Sequence, residues 1–363
     1  MAAALQKNGY RVTVVVPKIY KASRTVEDQE GIKVYRFPFF AGGKLLIEHK
    51  GIPYLRMVAY YVSGFFTSIY ALLRSRSRLI HVHWAIPTGL IGVLVGMLLR
   101  KPVVVTIHGS DFRMATERYG MVTKIFLYVC KRARKIICVS ELQRKRIQEM
   151  GVRTGEVLTS PMGIDESFLE VGRRRRERLH AQSHTILSNR NLLPLYNVSL
   201  LIRAIPIILK EEPETRFLIA GDGPERETLE RETKNLNVQS SVEFLGRVSH
   251  EEIPDLLAKA DIYVSTSLHD GTSVSLLEAM GAGAFPVVTD IPANREWIVD
   301  GENGFLVNQS EEEFLSKRII DAIRNHELLG MSRVRNRLII EKAALWPEYV
   351  NRIEAVYGSI LRS

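Results

Sequence analysis

Short β-branched runs alternate with longer amphipathic segments along most of the chain, and each run marks a candidate strand. The first series predicts strands over Arg11–Val16, Lys33–Phe37, Leu79–His83, Val103–His108, Lys135–Ser140 and Glu156–Ser160. A second series follows over Thr185–Ser188, Arg216–Ala220, Val242–Leu245, Ile262–Ser265, Ala284–Thr289 and Gly304–Val307. Unbroken apolar runs such as Val103-Val104-Val105 and Phe217-Leu218-Ile219 suit parallel strands buried on both faces. The rhythm predicts an α/β protein with two doubly wound sheets.

Composition fits that picture and narrows it. The 363 residues are 46% hydrophobic and 25% charged, with ordinary Gly and Pro usage, which excludes disordered, collagen-like and solenoid classes and suits two domains. A charge block at Gly172–Arg178 has no apolar face and reads as a solvated linker, placing the domains at 1–170 and 171–345 with a last helical segment over 346–363. Residues 1–180 hold 31 Lys and Arg against 13 Asp and Glu, whereas the rest of the chain holds 19 against 27. The cationic first half therefore suits an anionic partner such as an acidic glycan or the negative leaflet of a membrane; nucleic acid would use the same charge, but no recognition motif supports it, and none is expected as a partner.

Cys130 and Cys138 lack metal or redox spacing and read as core thiols in a reducing compartment. No basic region with a long apolar run opens the chain, so the expected location is cytoplasmic, compatible with a peripheral position on the inner face of the membrane. The apolar stretches Met57–Leu73 and Ala85–Leu99 fall short of the ~20 residues that a spanning helix requires. The aromatic-rich, basic segment Gly51–Arg78 reads as a core helix that can also rest on a membrane surface.

Open α/β sheets bind ligands beyond the carboxyl ends of their strands, so chemistry is sought there. After Ile262–Ser265 come Asp270 and, eight residues later, Glu278. With a helix starting near Thr272, Asp270 lies in the preceding loop and Glu278 nearly two turns inside, able to grip different parts of one elongated ligand. The backbone N–H groups of Ser273, Val274 and Ser275 would be orphan donors at the positive helix end, suited to a diphosphate. On these residues alone, a plain capping Asp270 and a solvent-facing Glu278 are an equal reading.

The run Asp270…Glu278-Ala279-Met280-Gly281-Ala282-Gly283-Ala284-Phe285-Pro286 resembles the family 4 retaining glycosyltransferases (glycosyl transferases group 1) of GT-B fold. Their hallmark is an acidic residue, seven residues, a Glu, then Ala-Met and a Gly/Pro-containing strand; Asp270 stands where Glu is usual. His108-Gly109-Ser110-Asp111 is similar to the family's His-Gly-x-Asp strand end, and Ser160-Pro161-Met162-Gly163-Ile164-Asp165 to its Pro-Asn-Gly-Val-Asp segment. Asn189–Asn197 resembles the loop Gly-Arg-Leu-x-Pro-x-Lys-Gly, with Arg190 displaced by one position and Tyr196 in place of the lysine. Phe244–Val248 looks like the loop whose backbone, around Val248, recognises the base, which leaves UDP, GDP and ADP undistinguished.

The resemblance implies a GT-B fold, two Rossmann-like doubly wound domains facing across a cleft, and transfer of a sugar from a nucleotide sugar to an acceptor hydroxyl with retention. It implies that Glu278 holds the ribose and Asp270 the donor sugar, while Arg190 and the helix start at Gly271, Ser273, Val274 and Ser275 stabilise the departing diphosphate. His108 would line the reacting face, where no conventional nucleophile is needed. Neither metal nor cofactor is called for, and the acceptor would be a glycan or a lipid-linked one. Residues 1–9 look like the end of the family's first helix, so the preceding strand and its Gly-rich turn are expected upstream of this reading frame, lost either to a truncation or to a start site placed too late. That and the lost lysine motivate one rival reading, a non-catalytic nucleotide-sugar-binding or scaffold subunit; against the other, an epimerase or phosphorylase of similar architecture, the acidic pair favours transfer.

Overall fold

A computed structural model describes residues 1–20, 22–39, 54–117, 120–174 and 184–362. The chain forms two compact units, Met1–Ser160 together with Val350–Ser363, and Pro161–Tyr349.

The first unit opens with three strands, β1 (Thr13–Lys18), β2 (Val26–Gln29) and β3 (Ile32–Pro38), in the order β1-β3-β2. β1 and β3 are parallel, while β2 and β3 form an antiparallel hairpin. Its turn passes through Glu30 and Gly31, both at positive φ, and the Asp28 carboxylate accepts a hydrogen bond from Gly31 N at 2.8 Å. β2 escapes the pattern of apolar runs because Val-Glu-Asp-Gln is a mostly exposed edge strand with a single apolar side chain. β4 (Ile80–His83), β5 (Val103–Ile107), β6 (Lys135–Cys138) and β7 (Val157–Thr159) form an all-parallel sheet in chain order. β5 is buried along its whole length, the reason for its unbroken Val-Val-Val run.

In the second unit, β8 (Thr185–Ser188), β9 (Arg216–Ala220), β10 (Val242–Gly246), β11 (Ile262–Ser265), β12 (Phe285–Thr289) and β13 (Phe305–Val307) pair in the order β10-β9-β8-β11-β12-β13, all parallel. Counted within the unit this is 3-2-1-4-5-6, the doubly wound order, which reverses between β8 and β11. Both faces are buried. Ile186, Phe217 and Val264 join the core under helices Val198–Glu211 and Glu312–Arg324, whereas their neighbours Leu187 and Tyr263 join the core under helix Val274–Gly281. The first residues of the charge block, through Arg174, end the helix Ser167–Arg174, and Arg173 pairs with Glu341 at 3.1 Å; residues 175–183 lie outside the described residues. Helix Trp346–Leu361 begins in the second unit and ends in the first.

Candidate functional site

The strand order decides which loops meet in the second unit. Where a doubly wound sheet reverses, the loops leaving the two neighbouring strands splay to opposite faces and open a crevice beyond the carboxyl ends. Here the loop after β8 carries Arg190 and the loop after β11 carries Asp270. Leu268 N donates to Leu195 O at 2.9 Å and Thr266 Oγ1 to Asn197 O at 2.8 Å, so the two loops are tied together.

Arg190 is the centre of this crevice and is 8% exposed. Its Nη2 donates to Asp270 Oδ2 at 2.6 Å, its Nη1 donates to Ser273 Oγ at 3.0 Å, and the guanidinium lies 4.2 Å from the centroid of the Tyr196 ring. Burial opposes its charge, but the Asp270 carboxylate, helped by Tyr263 and Tyr196, holds the guanidinium above its ordinary pKa. Arg190 Nε and the neighbouring Asn189 Oδ1 are buried with no hydrogen-bond partner among the described residues, so the loop retains unused hydrogen-bonding capacity. The backbone of this loop sits hard against the glycine turn after β9: a Cβ on Gly221 would lie 2.4 Å from Arg190 O, and one on Gly223 2.3 Å from Leu192 O. Those glycines let the two loops close up, beyond simply making a turn.

The helix after β11 runs over Val274–Gly281, starting slightly later than expected, and its cap is Ser273, whose hydroxyl accepts from Leu276 N at 3.3 Å. Asp270 is therefore not the cap: its Oδ1 accepts from Gly271 N at 3.0 Å and its Oδ2 from Arg190. Val274 and Ser275 form the first turn, where backbone N–H groups have no carbonyl within the helix to bond. Glu278 does not face solvent either; it is 5% exposed, and burial pushes its carboxyl up to about 7, with Arg190 pulling the other way. His250 Nδ1, from the segment following β10, stands 3.8 Å from Glu278 Oε1. Val248 is partly buried two residues before it. Three carboxyl-end loops of one sheet thus bring Arg190, Asp270, Gly271, Ser273, Val274, Ser275, Glu278 and Val248 to one edge of the second unit.

His108 belongs to the first unit, just beyond β5. Its Nε2 is 2.8 Å from His83 Nδ1 at the end of β4, and the Trp84 ring lies 5.0 Å from its own. The backbone here is held by Asp111, whose Oδ1 accepts from His108 N and Gly109 N, each at 3.1 Å, and whose Oδ2 accepts from Ala85 N at 2.7 Å. Asp111 is 1% exposed, and burial raises its carboxyl to about 6 in spite of these bonds. It joins the loop after β4 to the loop after β5, fixing the position of His108.

Four contributors were given no role of their own by the sequence. Tyr196, noted only as a lost lysine, supports Arg190 with its ring. His250 has no local signature at all. Asp111 was visible as part of a motif and His83 as part of a strand, but their partners come from neighbouring strands and loops.

Residues 173–339 match the family described as Glycosyl transferases group 1, and residues 1–163 match the Glycosyl transferase 4-like domain. One component of the phosphatidylinositol N-acetylglucosaminyltransferase of Arabidopsis thaliana is 23% identical over 367 residues, covering 100% of this chain and 77% of that one. Among solved structures, sucrose-phosphate synthase from Thermosynechococcus elongatus superposes with a TM-score of 0.81 at 16% identity, covering 99% of this chain and 92% of that one. HepE from Anabaena in complex with UDP-glucose gives 0.73 at 18% identity, covering 91% of this chain and 86% of that one. These likenesses establish the GT-B fold.

Proposed function

This chain belongs to the glycosyl transferases group 1 family, a family of glycosyltransferases, and from that premise we propose that it moves a sugar from a nucleotide-sugar donor to an acceptor hydroxyl with retained configuration and without a metal. The observation that carries the reading is the Arg190–Asp270 pair at the reversal point of the second sheet, with the buried Glu278 in the helix that follows the Asp270 loop. In a retaining transfer the negative charge grows on the departing diphosphate. Arg190 donors and the first-turn N–H groups of Val274 and Ser275 supply preorganised positive charge for it. Asp270, held by Arg190 and Gly271, presents acceptor oxygens for the hydroxyls of the donor sugar. Glu278 accepts from the two ribose hydroxyls, a pairing that offsets the cost of burying its carboxylate. Val248 contributes backbone groups toward the base.

The bound UDP-glucose of HepE supports a nucleotide-sugar donor here. The Arabidopsis relative is named for phosphatidylinositol, which supports a lipid-linked acceptor and, with it, a peripheral position at a membrane surface.

Thermal unfolding with UDP, GDP, ADP and their sugars tests the donor half of the reading. Ligand at 100 times its dissociation constant adds about 2.7 kcal/mol to the folded state. One nucleotide class should raise the melting temperature of the wild type and fail to raise that of Glu278→Ala. Equal shifts in both proteins would remove Glu278 from the site, and no shift with any class would remove the donor reading. The anomeric configuration of the product, read by NMR, tests retention.

A further inference from the structure

We propose that the first unit rests on an anionic membrane through the outer face of helix Tyr54–Ser75, a surface separate from the nucleotide-sugar site. The helix has two apolar faces. Tyr60, Gly64 and Ala71 point into the unit, where Tyr60 joins Phe37, Phe39, Ile91 and Val95 in a core. On the opposite side Val58, Val62, Phe66, Tyr70 and Leu73 recur at helical spacing, and each is more than half exposed, with Phe66 at 65% and Leu73 at 63%. Helix Leu90–Leu98, which packs against this one, also leaves Leu94, Met97 and Leu98 exposed. A soluble surface rarely leaves a contiguous apolar band of this kind without a partner.

Charge selects that partner. From Met57 to Leu73 the helix carries no charged residue, and its two ends carry exposed Arg56 and Arg74, followed by exposed Arg76 and Arg78. No Asp or Glu occurs anywhere between residues 49 and 110. An apolar band whose helix ends carry only cationic residues is complementary to a bilayer with negative headgroups, into which Phe and Tyr settle at the interface. A second copy of the same face would set the two arginine rims against each other. The helix is not long and apolar enough to cross a membrane, so it would lie in the interface. The proposal shares the peripheral location of the functional reading but does not depend on its chemistry.

Flotation of the full chain with vesicles of phosphatidylcholine, alone or mixed with phosphatidylglycerol, provides the test. The wild type should float with the mixed vesicles and stay behind with the neutral ones. Val62→Asp with Phe66→Asp should lower partitioning by at least about tenfold. Arg74→Gln, Arg76→Gln and Arg78→Gln should each lower it about fivefold. A Phe66→Trp variant should shift its fluorescence to the blue on the mixed vesicles only. Circular dichroism and the nucleotide-dependent melting shift of the variants should match the wild type, separating loss of membrane binding from misfolding or loss of the donor site. Wild type that fails to float on anionic vesicles, or stripe variants that float equally well, overturns the proposal. So does light scattering that shows a dimer dissolved by Val62→Asp with Phe66→Asp, which would assign the face to a second copy.

Discussion

Arg190 and Asp270 stand 80 residues apart in the chain, and their side chains meet at 2.6 Å across the reversal point of the second sheet. With 9% and 18% of the two side chains exposed, the pair is largely withdrawn from water. Its cost is therefore high if one partner is lost and small if both are replaced by apolar groups of similar size. Arg190→Ala should destabilise the protein by about 3 kcal/mol or more. It should also slow transfer by about 10²–10³-fold, the usual loss for a donor aimed at developing charge. Arg190→Met combined with Asp270→Leu should regain most of the stability and none of the transfer. A double variant that is stable and transfers sugar at the wild-type rate would show that the pair is only a strut.

This relationship shows what the sequence can and cannot disclose. Asp270 and Glu278 were legible as candidates because they follow an apolar run, the position where open α/β sheets bind ligands, whereas Arg190 and the roles of all three came from the family resemblance. The strands themselves were legible because burial on both faces writes them as continuous apolar runs, and the edge strand Val26–Gln29 was not because it is exposed and charged. That Arg190 and Asp270 pair depends on β8 lying beside β11, a matter of strand order that no local pattern encodes. The same holds for His83 and His108, which meet only because β4 lies beside β5. Tyr196 was read by what it replaced, and its ring contact with Arg190 emerged only when the loop was folded.

Glu278 gives a pH signature. Its carboxyl rises to about 7 through burial, from an ordinary value of 4.5. The folded state thus holds this proton more tightly than the unfolded chain does. The contribution to stability is fully present below about pH 4.5 and lost as pH climbs through 7, on the order of 3 kcal/mol across the window. Glu278→Gln should remove this slope from melting curves of the ligand-free protein. A ribose that donates two hydroxyls prefers the ionised carboxylate, so nucleotide affinity should tighten as pH passes upward through 7. Calorimetric titration of the wild type and of Glu278→Gln checks this, and an identical pH dependence in both would detach the ribose from this residue.

Gly221 should be intolerant of a side chain for two separate reasons. Its φ is +134°, and an added Cβ would sit 2.4 Å from Arg190 O, a backbone atom that cannot swing aside. Gly221→Ala should therefore cost more than the ~1 kcal/mol of the dihedral strain alone. It should displace the Arg190 loop and weaken nucleotide binding together with stability. The control is Gly151→Ala, also at positive φ but with open space around its Cβ, which should lower the melting temperature and leave nucleotide affinity unchanged. Equal effects of the two substitutions on affinity would show that the contact with Arg190 has no functional weight.

The histidines of the first unit set a last expectation. His81 Nδ1 lies 2.6 Å from Tyr357 Oη and its Nε2 2.7 Å from Thr106 Oγ1, its ring stacks on His83, and His83 bonds His108. Burial first, then neighbouring positive groups, drives all three downward: His81 well below its ordinary value, His83 to about 4 and His108 to about 3. They are neutral at pH 7, and one nitrogen of the His83–His108 contact must donate while the other accepts. An unfolded chain would protonate these rings near 6.5, so stability should be intact above that pH and fall on acidification from 6.5 toward 4. Their ring protons should stay flat in an NMR titration between pH 5 and 8, and transfer should show no limb from His108 in that range. Asn in place of His83 preserves a hydrogen-bonding side chain there, whereas His83→Ala removes only the lesser of the two causes, so the titration of His108 should rise while burial still holds it below 6.5. A wild-type His108 that already titrates near 6.5 would show that burial does not hold the ring neutral.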